Sequence, residues 1–222
     1  MTSTARRAFI EAFIVWAFCI LAARVFYMMR GNSFVGHNLM LLTSGLFIYV
    51  PALVLYYRGE SVDFFEKNSR QLFYSLKLTF FTSFLVFSLI ALGNHFYEKI
   101  FFHFRYHPGS NASLVSTFFF HLFLVALPEE FFFRGYFLKR MRQIFDDRFT
   151  FLGAKTGKAF FITALVFAFS HSLIVLRWWH FAIFFPALVF GWLREKTNGL
   201  TAPILFHALS NLFSAWVGLH YR

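Results

Sequence analysis

Seven stretches of about 20 mostly apolar residues, separated by short charged loops, restrict this chain to one kind of fold. Hydrocarbon offers no water to satisfy backbone polar groups, so only helices and closed barrels cross a bilayer. The mean hydropathy is +0.60 and 14% of the residues are charged, whereas soluble domains carry roughly a quarter. The sequence therefore predicts an all-α, polytopic membrane helix bundle of about seven transmembrane helices. The predicted spans are 9–29, 38–57, 74–93, 114–134, 159–176, 178–194 and 201–219.

The distribution of Lys and Arg predicts how the bundle is oriented. The formal net charge of +11 would suit nucleic acid, but the basic residues lie in short loops, and no loop is long enough for a soluble binding face. With the N-terminus cytoplasmic, the inner loops carry thirteen basic residues and the outer loops five, as the positive-inside rule requires. The inner set is Arg6, Arg7, Arg58, Lys67, Arg70, Lys139, Arg140, Arg142, Arg148, Lys155, Lys158, Arg194 and Lys196, and the outer set is Arg30, Lys99, Arg105, Arg177 and Arg222.

These patterns predict an integral membrane protein with its N-terminus in the cytoplasm, with the bilayer as a partner and without nucleic acid. The apolar run 9–29 is too long for the core of a signal peptide, so we interpret it as a retained first span. No internal repeat divides residues 1–222, which predicts a single transmembrane domain. The single cysteine, Cys19, excludes an intrachain disulfide.

Three ionisable residues interrupt the fourth apolar stretch, in the segment PEEFFFRGYF. An ionised side chain in hydrocarbon costs at least ~2.5–3.5 kcal/mol, so these residues must face protein or water. Glu130 and Arg134 stand four apart with the acid first, the favourable register for an ion pair on a helix. Glu129 is rotated by about 100° from its neighbour and remains available as a general base. A structural Glu–Arg clamp between helices is the alternative interpretation.

Two later stretches contribute further polar residues: His171, four residues after Phe167, and His207, four residues before Asn211. The spacing of four places His207 and Asn211 on one helix face. Both can donate hydrogen bonds to an oxyanion, although polar residues of this kind also serve as hydrogen-bonded contacts between membrane helices.

The glutamate and the two histidines are predicted to lie at a similar depth, each about nine to eleven residues from the inner end of its span. A base, a histidine that can hold the same water and a pair of hydrogen-bond donors together indicate a hydrolytic centre. Three N/O ligands plus water are also a catalytic zinc pattern, so the spacing alone leaves zinc open.

The order E-E-x-x-x-R, F-x-x-x-H and H-x-x-x-N over about residues 115–219 resembles the CAAX-protease and bacteriocin-processing family (CPBP, or Abi), which includes the type II CAAX prenyl endopeptidases. The resemblance implies a glutamic-type intramembrane endopeptidase without a metal or other cofactor. By analogy, Glu129 and His171 would activate water, His207 and Asn211 would stabilise the oxyanion, and Glu130 with Arg134 would support the site.

In so compact a chain the resemblance implies a bacterial-style processing enzyme, so the expected location is a bacterial inner (plasma) membrane. The predicted substrate is a protein or peptide in or near the membrane. Three alternatives remain: a zinc-dependent membrane protease that uses the same residues, a non-proteolytic immunity or scaffold protein, and a transporter. A transporter is expected to contain inverted repeats, and this sequence has none.

Overall fold

The computed structural model describes residues 3–103, 106–107, 113–146 and 148–220, so Arg105 and Arg222 of the outer basic set lie outside the described residues. Within these described residues, six helices are long and apolar enough to cross a membrane. The prediction of an all-α polytopic bundle is therefore confirmed. The six candidate spans are Ser3–Gly31, Ser33–Tyr57, Ser69–Phe101, Leu114–Ile144, Lys158–Val175 and Thr201–His220.

The described helices follow the predicted segments, with breaks that the apolar pattern did not reveal. The long helices are α1 (Ser3–Met28), α2 (Ser33–Tyr57), α3 (Ser69–Tyr97), α7 (Lys158–Val175) and α9 (Thr201–His220). The fourth span is built from α4 (Leu114–His121), a π-helix (Leu122–Ala126), α5 (Leu127–Glu130), a second π-helix (Phe131–Phe137) and α6 (Leu138–Ile144). This span extends to Ile144, well beyond the predicted end at residue 134.

The predicted span 178–194 is a broken helix. A 3₁₀ segment (Trp178–Ile183) leads into α8 (Phe184–Thr197), which has 14 residues. That length is below the roughly 20 residues of a membrane helix, which explains why this segment is not among the six candidate spans. Glu195 near its end pairs with Arg142 near the end of α6. The broken helix therefore runs back to the level at which α6 ends.

A β-hairpin interrupts the otherwise helical architecture and was not predicted. Strand β1 (Arg148–Phe151) pairs antiparallel with β2 (Ala154–Gly157). Leu152 and Gly153 form the turn with φ angles of 46° and 73°, as expected for a tight two-residue hairpin with a glycine in the left-handed region. The strands are too short for their alternation to be distinguished from a charged loop.

The connections define two ends of the bundle. We call the end that contains residues 58–68, the hairpin 148–157 and residues 194–200 the basic end. Its segments are joined by a hydrogen bond from Leu200 N to Phe64 O (3.0 Å) and by Lys196, which donates to the Leu152 carbonyl. At the opposite end, His107 N donates to the carbonyl of His220 (2.8 Å).

An ionic network at the basic end ties the first two helices to α6. Arg140, with 1% of its side chain exposed, lies 2.8 Å from both Glu11 Oε1 and Glu60 Oε1. Lys139 Nζ lies 2.7 Å from Glu60 Oε2, and Arg58 pairs with Glu11. The network fixes the position of the helix that carries the Glu129–Glu130 motif.

This network predicts a loss of stability in acid. Burial acts to raise the pKa of Glu60, but hydrogen bonds from Lys139 and Arg140 outweigh it and lower this pKa below its ordinary value of 4.5. A lowered folded-state pKa stabilises the protein above about pH 4.5, and this contribution is lost as the pH falls through the folded-state value. We expect Glu60→Gln to reduce stability at neutral pH and to flatten this acid dependence. Thermal melts in detergent, from neutral pH to below about pH 4.5, would measure both changes in stability. The control is Asp146→Asn, which is expected to have no effect because Asp146 is fully exposed.

Candidate active site

The backbone around the two glutamates departs from a regular α-helix on both sides. The short α5 contains Pro128, Glu129 and Glu130, and a π-helix precedes and follows it. Proline removes a backbone donor from the helix, and π-helical turns occur often at functional sites. The local irregularity therefore coincides with the ionisable residues of the motif.

Glu129 faces both histidines of the later motifs. Its Oε2 lies 3.6 Å from His171 Nε2 and 3.8 Å from His207 Nε2. Both separations are slightly longer than a hydrogen bond. This oxygen is buried and has no hydrogen-bond partner among the described residues. Three side chains that are far apart in the sequence thus meet at one point inside the bundle.

Glu130 has a different environment and two partners. Its Oε1 accepts hydrogen bonds from Arg134 Nη1 at 3.1 Å and from His207 Nδ1 at 2.9 Å. An ionised carboxylate can only accept, so His207 carries a proton on Nδ1. The exposed fraction of the Glu130 side chain is 0% and that of Arg134 is 1%. Both glutamates therefore lie next to His207, but Glu130 alone is hydrogen-bonded to Arg134.

Arg134 joins the motif helix to α7 and α8. Its Nη2 donates to the backbone carbonyl of Ala187 at 2.9 Å. Its guanidinium carbon lies 4.4 Å from the ring centroid of Phe167 and 5.2 Å from that of Phe190. Such contacts stabilise a cation that has lost its water. One buried guanidinium therefore holds three segments together.

The two aromatic rings also contact the histidines. Phe190 stacks on the His207 imidazole with centroids 4.5 Å apart and an interplanar angle of 13°. Phe167 lies 4.7 Å from the His171 ring and 5.9 Å from that of His207. His171 Nδ1 lies 3.0 Å from the Phe167 carbonyl oxygen, so this nitrogen carries the proton and Nε2 faces Glu129 with its lone pair.

A cavity of about 490 Å³ adjoins the site. His171, His207 and Asn211 line it, and Asn211 follows His207 by one helical turn on α9. The structure thus places the Nε2 atoms of His171 and His207 next to Glu129 Oε2. It places Asn211 on the wall of the adjoining cavity. The structure shows no hydrogen bond between the Asn211 side chain and another described residue.

Some contacts of the site were missed by the sequence interpretation. Phe190 and the Ala187 carbonyl belong to α8, from which no residue was singled out. Phe190 is one of 38 phenylalanines, so nothing in its local sequence distinguishes it. The hydrogen bond between Glu130 and His207 joins residues 77 positions apart, and spacing along one helix cannot reveal it.

Among the described residues, no group of three or more His, Cys, Asp or Glu side chains is arranged to hold a metal ion. The zinc alternative uses Glu129, His171 and His207, and the two histidine Nε2 atoms lie 3.6 Å and 3.8 Å from Glu129 Oε2.

A family model described as type II CAAX prenyl endopeptidase Rce1-like matches residues 110–213. This range includes all three motifs, the cavity residues on α7 and α8, and those on α9 as far as Phe213. No match was found among curated proteins or among solved structures. The match over residues 110–213 confirms the resemblance to the CAAX-protease family, and the six apolar helices among the described residues make the chain an integral membrane protein.

Proposed function

We propose that this protein is an intramembrane endopeptidase that hydrolyses a peptide bond of a membrane-associated protein or peptide with water activated by Glu129 and His171. The observation that carries the proposal is the convergence of Glu129 Oε2 with the Nε2 atoms of His171 and His207. The match of residues 110–213 to the Rce1-like family model supports the reaction class.

The protonation of the two nearest groups favours a bound water. His171 carries its proton on Nδ1, so its Nε2 and the Glu129 carboxylate are two acceptors 3.6 Å apart. Two acceptors this close together are stabilised by a bridging water that donates one hydrogen bond to each of them. Glu129 takes one of these protons as the water attacks the carbonyl carbon, and then delivers it to the leaving amine.

His207 and Asn211 are placed to stabilise the tetrahedral oxyanion. His207 donates through Nδ1 to Glu130, and as an imidazolium it also donates through Nε2 to the oxyanion. Glu130, held by Arg134, balances that positive charge. Asn211 supplies a second donor from the cavity wall. Glu130 and Arg134 thus position the site without touching the substrate.

The proposal needs no metal, because Glu129 and His171 together orient and deprotonate the water. We also propose that the protein resides in a bacterial inner membrane with its N-terminus in the cytoplasm. The family resemblance supports the metal-free mechanism and the bacterial membrane, and the excess of Lys and Arg at the basic end supports the orientation of the N-terminus.

A pair of histidine variants tests the reaction. The purified protein in nanodiscs is screened with quenched-fluorescent peptides that have apolar centres. We expect His171→Ala to lose cleavage and His37→Ala to keep it, because His37 is an exposed residue of α2. Retained cleavage after treatment with a strong chelator, without zinc in the purified protein, would agree with the metal-free mechanism. Loss that zinc restores would favour the zinc protease, and no cleavage of any peptide by the parent would favour a non-proteolytic protein.

Asn211→Ala provides a finer test of the oxyanion donors. Loss of one donor raises the barrier by ~2.7–4 kcal/mol, which corresponds to roughly 10²–10³-fold in kcat. We expect this loss with little change in KM, because the donor acts on charge that develops in the transition state. The control is Asn38→Ala, since Asn38 is a half-buried asparagine of α2 that does not line the cavity. A change in KM alone would contradict the assigned role.

A further inference from the structure

The cavity next to the site lies in one half of the bundle, the half away from the basic end. Its lining residues on α3 and α9 belong to the middle and the later parts of helices that start at the basic end, and those on the broken helix belong to its beginning. The helix α3, the helix α9 and the broken helix all place the cavity in the half of the bundle away from the basic end. The residues that lead away from the histidines are Val86, Phe87, Ile90, Ile183, Phe185, Pro186, Phe213 and Ser214.

The far side of this cavity is open. Ile90 on α3 has 50% of its surface exposed and Phe185 on α8 has 69%, and Ser214 on α9 is exposed as well. We call these three residues the mouth. Ser214 follows His207 by seven residues, so the mouth lies about 10 Å from the catalytic level along α9.

A second cavity of about 570 Å³ lies toward the basic end, between α3, the hairpin, α7 and α8. Its lining residues include Leu85, Phe151 and Trp192. None of the proposed catalytic residues lines it, and it shares only Val86 and Val189 with the first cavity. These two valines stand between the second cavity and the site.

We propose, on the basis of the function proposed above, that the peptide segment to be cleaved enters through the mouth, from the end of the bundle opposite the basic end. The basic end is the predicted cytoplasmic side, so cleavage takes place from the outer half of the membrane. No Lys, Arg, Asp or Glu is among the residues that line this cavity. An ionised side chain would lose its hydration there without a partner, so the segment that enters is apolar and uncharged.

The route can be measured without any substrate. In a Cys19→Ala background, Ser210→Cys places one thiol on the wall of the first cavity, where N-ethylmaleimide labels it. We expect Ile90→Trp or Ser214→Trp to slow labelling about tenfold, which corresponds to about 1.4 kcal/mol on the barrier. Leu85→Trp is the matched control, since Leu85 is an exposed α3 residue of the second cavity. Slower labelling with Leu85→Trp, and not with the mouth variants, would overturn the inference.

Cleavage of an apolar quenched-fluorescent peptide in nanodiscs then identifies the occupant. We expect kcat/KM to fall about tenfold in the two mouth variants, again about 1.4 kcal/mol, and to stay at the parental value in Leu85→Trp. Thermal melts confirm that all three variants are folded. Slower labelling without slower cleavage would mean that bilayer lipid occupies the mouth, and the inference would fail. If the labelling result holds but neither the parent nor any variant cleaves a peptide, the proposed protease function fails and the substrate route fails with it. If the parent cleaves the peptide and the mouth variants cleave it equally fast, only the route is refuted.

Discussion

Glu129→Gln is expected to slow peptide hydrolysis by roughly 10²–10⁴-fold, the contribution of a positioned general base. The amide keeps the size of the side chain but cannot take the proton of the attacking water. The variant is expected to insert and fold as the parent does. Its thermal stability stays equal or rises, because a buried carboxylate oxygen without a hydrogen-bond partner is costly.

The measurement pairs initial cleavage rates with thermal melts in the same detergent or nanodisc. Glu98→Gln is the matched control, since Glu98 lies in the π-helix that follows α3 and does not line the cavity. Parental activity in Glu129→Gln would show that another group activates the water. Collapse of its stability would show that Glu129 has the structural role assigned here to Glu130.

The second large effect is expected from Arg134→Ala. Removing this side chain leaves Glu130 as a buried carboxylate with only His207 as its partner. Breaking a buried ion pair on one side typically costs ~3–5 kcal/mol, and the contacts with Phe167 and Phe190 are lost as well. Lower yield, a lower Tm and loss of activity should therefore appear together.

Arg134→Lys is expected to recover only part of this loss. An ammonium lacks the planar fork with which the guanidinium reaches both Glu130 and the Ala187 carbonyl. Arg30→Ala is the control, because Arg30 is an exposed cation at the end of α1, and surface changes are usually within about 0.5 kcal/mol. A parental Tm in Arg134→Ala would rule out a structural role for the pair.

The parts of the molecule that could be predicted from sequence are those that follow from helical periodicity. Apolar runs predicted the spans, and the spacing of four predicted the pair formed by Glu130 and Arg134. The hairpin and the break before α8 were missed, since both are short features whose apolar content resembles that of their surroundings. Periodicity describes one helix at a time.

Contacts between helices were outside the reach of that reasoning. The shared depth of Glu129, His171 and His207, together with the resemblance, led us to expect them in one site. No spacing along a helix could show that Glu130 also binds His207. The stacking of Phe190 on His207 depends on how α8 packs against α9. Burial of Phe190 could not be deduced in a sequence where phenylalanine also occupies many exposed positions, such as Phe185.

The two partners of Glu130 have a consequence for biosynthesis. His207 is 77 residues from Glu130, and at about 5–20 residues per second it leaves the ribosome about 4–15 s later. During that interval the segment with both glutamates reaches the membrane before α8 and α9 exist. Arg134, four residues away, is the one partner that Glu130 can have at that stage among the contacts described. The pair of Glu130 and Arg134 therefore lowers the net charge of the segment during insertion. Arg134 later donates a hydrogen bond to the Ala187 carbonyl of α8.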